Sequence, residues 1–229
     1  MELKPFSAEA LLGPLNDVEK KHAPKTLYAA GDPALARTPS VSIVGSRKAT
    51  VNGLRRAERL ARILVDREVA VVSGLADGID TAVHRAAIDH GGRTVAVLGT
   101  PLDEVYPRKN EALQHLIMRD HLAVSQFAPG TPTTRKNFPL RNRTMALLSD
   151  ATAIIEARDG SGSLHQAWEA IRLGRPLFIT QTSVDDRSLS WPAELCQYGA
   201  QVLSNESIEL IFELLPVGGR DDEASSTPF

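Results

Sequence analysis

Residues 41–74 read VSIVGSRKATVNGLRRAERLARILVDREVAVVSG, and this stretch decides the fold. Val41–Val44 and Val69–Val72 are short β-branched runs. Between them, over 51–65, Val51, Leu54, Leu60, Ala61 and Leu64 recur at helical spacing, while Arg55, Arg56, Arg59 and Arg62 cover the other sides. The same alternation continues outward, with strand-like runs at Thr94–Leu98, Leu122–Val124, Ala151–Ile155, Leu177–Thr180 and Gln201–Leu203. Nearly all-apolar strands alternating with helices mean a parallel sheet covered on both faces. The expectation is an α/β fold with a doubly wound, mostly parallel sheet over residues 26–215. Residues 1–25 read as a helical extension, with one helix over 7–21 carrying Leu11, Leu12, Leu15 and Val18 on a face. The Gly-, Ser- and Asp-rich residues 216–229 read as a disordered tail.

The chain has 229 residues, 42% of them hydrophobic and 24% charged, enough for a real core. Its 26 Lys and Arg against 28 Asp and Glu give a formal charge of -2, so any nucleic-acid site must be a local patch. The single cysteine, Cys196, excludes an intrachain disulfide, and no histidine pair has the spacing of a helical zinc site. No metal or other cofactor is expected. No stretch approaches the ~20 apolar residues that span a bilayer, and the N-terminus lacks a cleavage signal. A soluble protein of the reducing cytoplasm, away from membranes, is the expectation.

Ligands of open parallel sheets sit beyond the carboxyl ends of the strands. Three strand ends carry small residues there: Gly45-Ser46-Arg47, then Ser73-Gly74 followed by Ala76-Asp77-Gly78-Ile79-Asp80, and Glu156 followed by Gly160-Ser161-Gly162-Ser163. Small residues let backbone N–H groups approach an anion, and Arg47 adds a planar phosphate donor. The plain alternative is that the glycines only make turns. Between His121 and Ser149 there is no acidic residue, yet Arg135, Lys136, Arg141 and Arg143 are present. Pro132 and Pro139 make the first part of this segment a loop, with Pro139 opening a helix. Phe138 then sits in that loop among cations, the combination that holds single-stranded nucleic acid. The competing reading makes Phe138 a core plug beside a solvated charged face.

Together, Ile43-Val44-Gly45-Ser46-Arg47, Ser73-Gly74-Leu75-Ala76-Asp77-Gly78-Ile79-Asp80, Tyr106-Pro107, Phe138-Pro139-Leu140-Arg141-Asn142-Arg143 and Ser161-Gly162-Ser163-Leu164 resemble the DprA/Smf family of DNA-processing proteins. The resemblance runs in order from about Leu27 to Leu203. It implies an extended Rossmann-like fold that binds single-stranded DNA and helps load a RecA-type recombinase, as in natural transformation. A second copy of the chain is a further candidate partner. By the same resemblance Arg47 grips a phosphate, Phe138 stacks on or wedges against a base, and Arg135 or Lys136 adds a backbone contact. Arg141 and Arg143, flanking Asn142, line the same pocket. The chain departs from the family at Ser125-Gln126-Phe127, where a glutamate is usual, and at Thr180-Gln181, where Pro-Gly is usual. Its flanks are expected to hold neither the family's N-terminal helical domain nor its winged helix.

The main alternative is a sensor or phosphoribohydrolase-like enzyme for nucleotide derivatives on the same fold. Such enzymes need a carboxylate where this chain has Gln166, which cannot act as a general base; Glu169 lies one helical turn on. No complete catalytic constellation emerges. Asp80 and His84 stand four apart on a helix and are expected to pair structurally. Glu156 is expected to orient a loop arginine, Trp168 and Trp191 to serve the core or an interface, and Cys196 to pack as a small apolar residue. The helix over 207–215, with Ile208, Ile211, Phe212 and Leu215, is expected to pack on the sheet.

Overall fold

The computed structural model describes residues 3–216. In chain order it runs β1 (Lys4–Phe6), α1 (Ala8–Leu12), α2 (Asp17–His22), β2 (Leu27–Gly31), β3 (Ser40–Val44), α3 (Val51–Asp66), β4 (Ala70–Ser73), α4 (Ile79–Asp89) and β5 (Thr94–Leu98). There follow α5 (Glu111–Asp120), β6 (Leu122–Ser125), α6 (Asn137–Leu148), β7 (Ala151–Ile154), α7 (Gly162–Arg172), β8 (Leu177–Thr180), α8 (Gln181–Val184), α9 (Trp191–Gln197), β9 (Gln201–Leu203) and α10 (Glu209–Leu214). The strands form one sheet in the order β1-β2-β6-β5-β4-β3-β7-β8-β9. From β6 to β9 every pairing is parallel, while β1–β2 and β2–β6 are antiparallel. The α/β, mostly parallel, Rossmann-like architecture read from the sequence is the one observed.

The core follows from the apolar strands. Val41, Ile43, Val71, Ala151 and Ala153 turn to one face, under α3, α4 and α10. Further along that face, Ala96, Leu98 and Ala123 meet Ile117 of α5. Val72, Val95, Val97, Val124 and Ile154 turn the other way, onto α6, α7 and the N-terminal helices. Both faces are covered, so a strand needs no polar alternation, and neither hand of side chains meets water. Trp191 is buried and donates Nε1–H to Ala157 O at 3.3 Å. Trp168 and Cys196 pack at the margin of the same cluster.

The N-terminal segment differs from the expected single helix. The helix expected over 7–21 is two helices, because Gly13 takes φ 86° at the end of α1 and Pro14 follows it. Asn16 then caps α2, accepting from Val18 N and Glu19 N. Leu11, Leu12 and Leu15 are buried as expected, but Val18 is 48% exposed. β1 and β2 were not foreseen as strands; β1 extends the sheet by pairing with β2, register Lys4↔Ala29. The helix expected over 207–215 appears as α10 and packs through Ile211, with Ile208 and Phe212 beside it. The tail Val217–Phe229 lies outside the described residues. Among those described, no helix is long and apolar enough to cross a membrane.

His84 does not pair with Asp80. Its Nδ1 lies 2.7 Å from Thr94 Oγ1, whose hydroxyl donates to Val71 O at 2.8 Å. With the Thr94 hydroxyl donating to Val71 O, the compatible tautomer places the proton on Nδ1. Burial lowers the His84 pKa from 6.5 to about 3, helped by the charges of His121 and Arg141. The unfolded chain therefore takes up this proton first, and stability is lost as pH falls from 6.5 toward 3. The expected contribution is a slope of up to about 1.4 kcal/mol per pH unit. His84→Gln removes it, so urea unfolding followed from about pH 6 to about pH 4 should show a shallower acid loss than wild type. Parallel profiles would contradict the assignment.

Candidate nucleic-acid interface

The strand order contains a reversal. From β3 the chain winds outward through β4, β5 and β6, then returns to place β7, β8 and β9 on the other side of β3. The crossovers on either side of the β3–β7 pair diverge, which opens a crevice at the strands' carboxyl ends, the usual ligand position of this architecture. A cavity of about 280 Å³ lies there. Gly45, Ser46 and Arg47 form one wall, Arg158 with Ser161, Gly162 and Ser163 the opposite one, and Phe138 with Asn142 the third. Asp80, Arg141 and Gln166 lie beneath.

Each wall is fixed locally. Ser46 N donates to Glu156 O at 2.7 Å, tying the β3 loop to the β7 end. A Cβ on Gly45 would stand 2.6 Å from Ile79 Cγ1, so only glycine fits. Among the described residues Glu156 orients no arginine; its carboxylate accepts from Thr50 N at 3.0 Å and Thr50 Oγ1 at 2.6 Å, fixing the residue that caps α3. Opposite, Gly160 turns the chain at φ 73°. Ser161 precedes α7 but makes no side-chain capping bond, its hydroxyl lying 2.8 Å from Ser163 Oγ. Leu164 N donates to Ser161 O at 3.1 Å, while Gly162 and Ser163 begin α7 without a side-chain cap and line the cavity, a favourable place for a phosphate. Asn142 Nδ2 donates to Gly162 O at 2.9 Å and locks α6 against this turn.

Phe138 lies in the first turn of α6, not in a loop. Pro139 costs nothing there, since the N–H it lacks would have no helical partner. The ring rests over Gly99, where a Cβ would come 2.7 Å from Phe138 Cδ1. Arg47 Cζ stands 5.5 Å from the ring centroid, and the Tyr106 ring lies 5.5 Å away at 52°. Phe138 is half-buried, Arg47 exposed, and Tyr106 47% exposed. Tyr106 has no expected role in the sequence, and Arg158 and His165, likewise not expected there, line the cavity. The position of Arg158, two residues before Gly160 at a strand end, was the available signal.

The expected residues divide. Gly45, Ser46, Arg47, Phe138, Arg141, Asn142, Ser161, Gly162 and Ser163 are brought together. Arg135 and Lys136 are exposed on the turn before α6, outside the cavity lining. Ser73 is fully buried and donates to Ile43 O at 2.7 Å. Arg143 leaves the pocket to pair with Glu169 at 3.3 Å. Arg141 lines the cavity but is only 6% exposed. It donates from Nη1 to Gly74 O and to Val97 O (2.9 Å), and from Nε to Asn142 Oδ1 at 2.9 Å. Gly74 is glycine because a side chain there would occupy the guanidinium's place. Burial raises the pKa of Asp80 and lowers that of Arg141, and the charge of each opposes the other's shift. Among the described residues Asp80 is the one carboxylate of the lining and Arg141 offsets it, so Arg47 and Arg158 leave the cavity net positive. Among the described residues no cluster of His, Cys, Asp and Glu could hold a metal.

Fold and crevice define a Rossmann-like α/β protein whose strand-end crevice is lined by arginines beside an aromatic ring. The family model described as DNA recombination-mediator protein A matches residues 13–215, and the chain belongs to this DprA/Smf family. It is 39% identical over 183 residues to the DNA processing protein DprA of Streptococcus pneumoniae, covering 80% of this chain and 64% of that one. It is 34% identical over 194 residues to DprA of Bacillus subtilis, covering 84% and 65%. The chain thus spans just under two thirds of the length of these relatives. Its fold superposes on the X-ray structure of the Streptococcus pneumoniae protein with TM-score 0.79 at 35% identity, covering 91% of this chain and 74% of that one. The Helicobacter pylori DprA, whose structure was described for its single-stranded DNA binding mode, gives TM-score 0.78 at 26% identity and coverage of 93% and 96%.

Arg141 is expected to be a structural anchor. Arg141→Met should cost about 3 kcal/mol in urea unfolding, because Asp80 and two strand-end carbonyls lose a buried partner. Gly74→Ala, which displaces the guanidinium, should lose stability in the same direction. Losses within about 0.5 kcal/mol would show a merely surface-like position.

Proposed function

We propose that the β3–β7 crevice binds single-stranded DNA, with Phe138 as the base platform and Arg47 and Arg158 as phosphate partners. The observation that carries this reading is the Arg47–Phe138–Tyr106 cluster beside the uncapped start of α7. A cation on an aromatic ring, next to free N–H donors, recognises backbone and base together without reading sequence. The family match and the described DNA binding of the Helicobacter pylori relative support the same ligand. Recombination mediation, with delivery of the strand to a RecA-type recombinase as in natural transformation, is the role we assign on the family description. A second copy of this chain and a cytoplasmic site of action belong to the same proposal.

We read the domain as a binding protein and not an enzyme. Gln166, at the position where nucleotide hydrolases need a carboxylate, is fully buried, with its amide 3.2 Å from Ser42 Oγ. Glu169 is held by Arg143 and Arg172. Neither is poised to take a proton from water in the crevice.

Binding should favour single strands over duplex. Arg47, Arg158, Arg135 and Lys136 would neutralise about four phosphates, giving a log affinity against log salt slope near ~-3. Arg47→Ala should reduce that slope by ~0.7. Phe138→Ala should weaken binding about ten- to a hundred-fold with the slope almost unchanged. Because Arg47 sits on the Phe138 ring, the double variant should lose less than the two single losses combined. Equal affinity for duplex, or a folded Phe138→Ala that binds as wild type, would sink the proposal.

A further inference from the structure

A second cavity, of about 370 Å³, lies on the same sheet edge beyond the carboxyl ends of β7, β8 and β9. Its back is α3, which presents Arg56, Arg59, Leu60 and Ile63 at the i, i+3, i+4, i+7 positions of one face. Leu60, Ile63, Ile155, Leu203 and Ile208 supply an apolar floor. Gln181, Thr182, Ser204 and Asn205 supply amides and hydroxyls around the rim. Arg59 Nη1 donates to Asn205 Oδ1 at 2.7 Å, bracing the α3 wall against the β9 end. Arg56 is half-buried in the lining and has no ion-pair partner among the described residues. Among the described residues the lining contains two arginines and no carboxylate.

We infer that this cavity is a second nucleotide-binding site, distinct from the β3–β7 crevice. Its apolar floor suits a planar base, the amides and hydroxyls suit the edge of that base, and Arg56 with Arg59 suits a phosphate. Its volume falls within the range of small-molecule pockets, and its place beyond parallel strand ends is where this architecture takes ligands. Ile155 lines this cavity and Arg158, three residues on, lines the crevice. The two cavities use opposite faces of the sheet, α3 here and α6 with α7 there. The occupant is a nucleoside phosphate, either free or as one unit of a strand that passes over the β7 end.

Two variants of the full chain test the site: Arg56→Glu reverses the phosphate-facing charge, and the exposed Thr182→Trp fills the mouth. Both positions lie away from the crevice, and melting temperatures confirm folding. Calorimetric titration with adenosine monophosphate is run beside anisotropy with short (about 4-nucleotide) and long (about 16-nucleotide) oligothymidylates. If the site takes a free nucleotide, each variant should weaken adenosine monophosphate at least about ten-fold while Arg47→Ala leaves it unchanged. If it takes a unit of the strand, each variant should weaken the long oligomer by about that factor and spare the short one. Either result supports the site. Wild-type behaviour of both variants toward both probes overturns it, as does mononucleotide binding abolished by Arg47→Ala alone. Loss of short-oligomer binding in Arg47→Ala reports on the crevice separately, so the two proposals fail independently.

Discussion

The buried guanidinium of Arg141 is the constraint on which the binding crevice depends. One side chain from α6 satisfies the backbone carbonyls at the ends of β4 and β5 and donates to the carboxamide of the adjacent Asn142. Strand-end carbonyls in a dry environment need donors, and an unmet one costs about 1–3 kcal/mol. By meeting them, Arg141 fixes where α6 starts and therefore where Phe138 lies. Gly74 and Gly99 complete the arrangement by absence of a side chain: the first admits the guanidinium, the second admits the Phe138 ring. Burial raises the Asp80 pKa and lowers that of Arg141, and the charge of each works against the other's shift, which makes a buried cation less costly there.

Topology supplies the remainder. A doubly wound sheet has one place where crossovers diverge, and the crevice forms there whatever its sequence. Chemistry enters through the residues that project at that point. Ligand choice is set by what stands at the strand ends. In this chain that is a cation resting on an aromatic ring and a helix start without its side-chain cap, and both favour an anion carrying a flat face.

Much of this was legible in the residues. Seven apolar runs located seven of the strands within a residue or two, because strands buried on both faces are unbroken in composition. β2, with the sequence Leu27-Tyr28-Ala29-Ala30-Gly31, escaped notice because alanine and glycine carry little strand signal. Three residues of β1 carried less still. At the site, the small-residue loops at Gly45 and Ser161 were visible as anion-facing turns. The basic run around Phe138 was visible as charge, yet charge order cannot tell a solvated arginine from a buried one. Arg141 and Arg143 share that run with Arg135 and Lys136, but helical phase turns the first inward and aims the second at Glu169. Tyr106, more than thirty residues before Phe138, meets it only through the fold.

The central claim is that the base of a bound strand lies on Phe138. Photocrosslinking with an iodouracil-substituted oligothymidylate, followed by mass-spectrometric mapping of the adduct, addresses it most directly, since the reaction marks the aromatic side chain against which the base stacks. The protein holds a competing aromatic pair, Trp168 and Tyr198, with ring centroids 5.0 Å apart and Tyr198 60% exposed. An adduct on Phe138 or its neighbour Tyr106 is the predicted result; an adduct confined to Trp168 or Tyr198 would contradict the account.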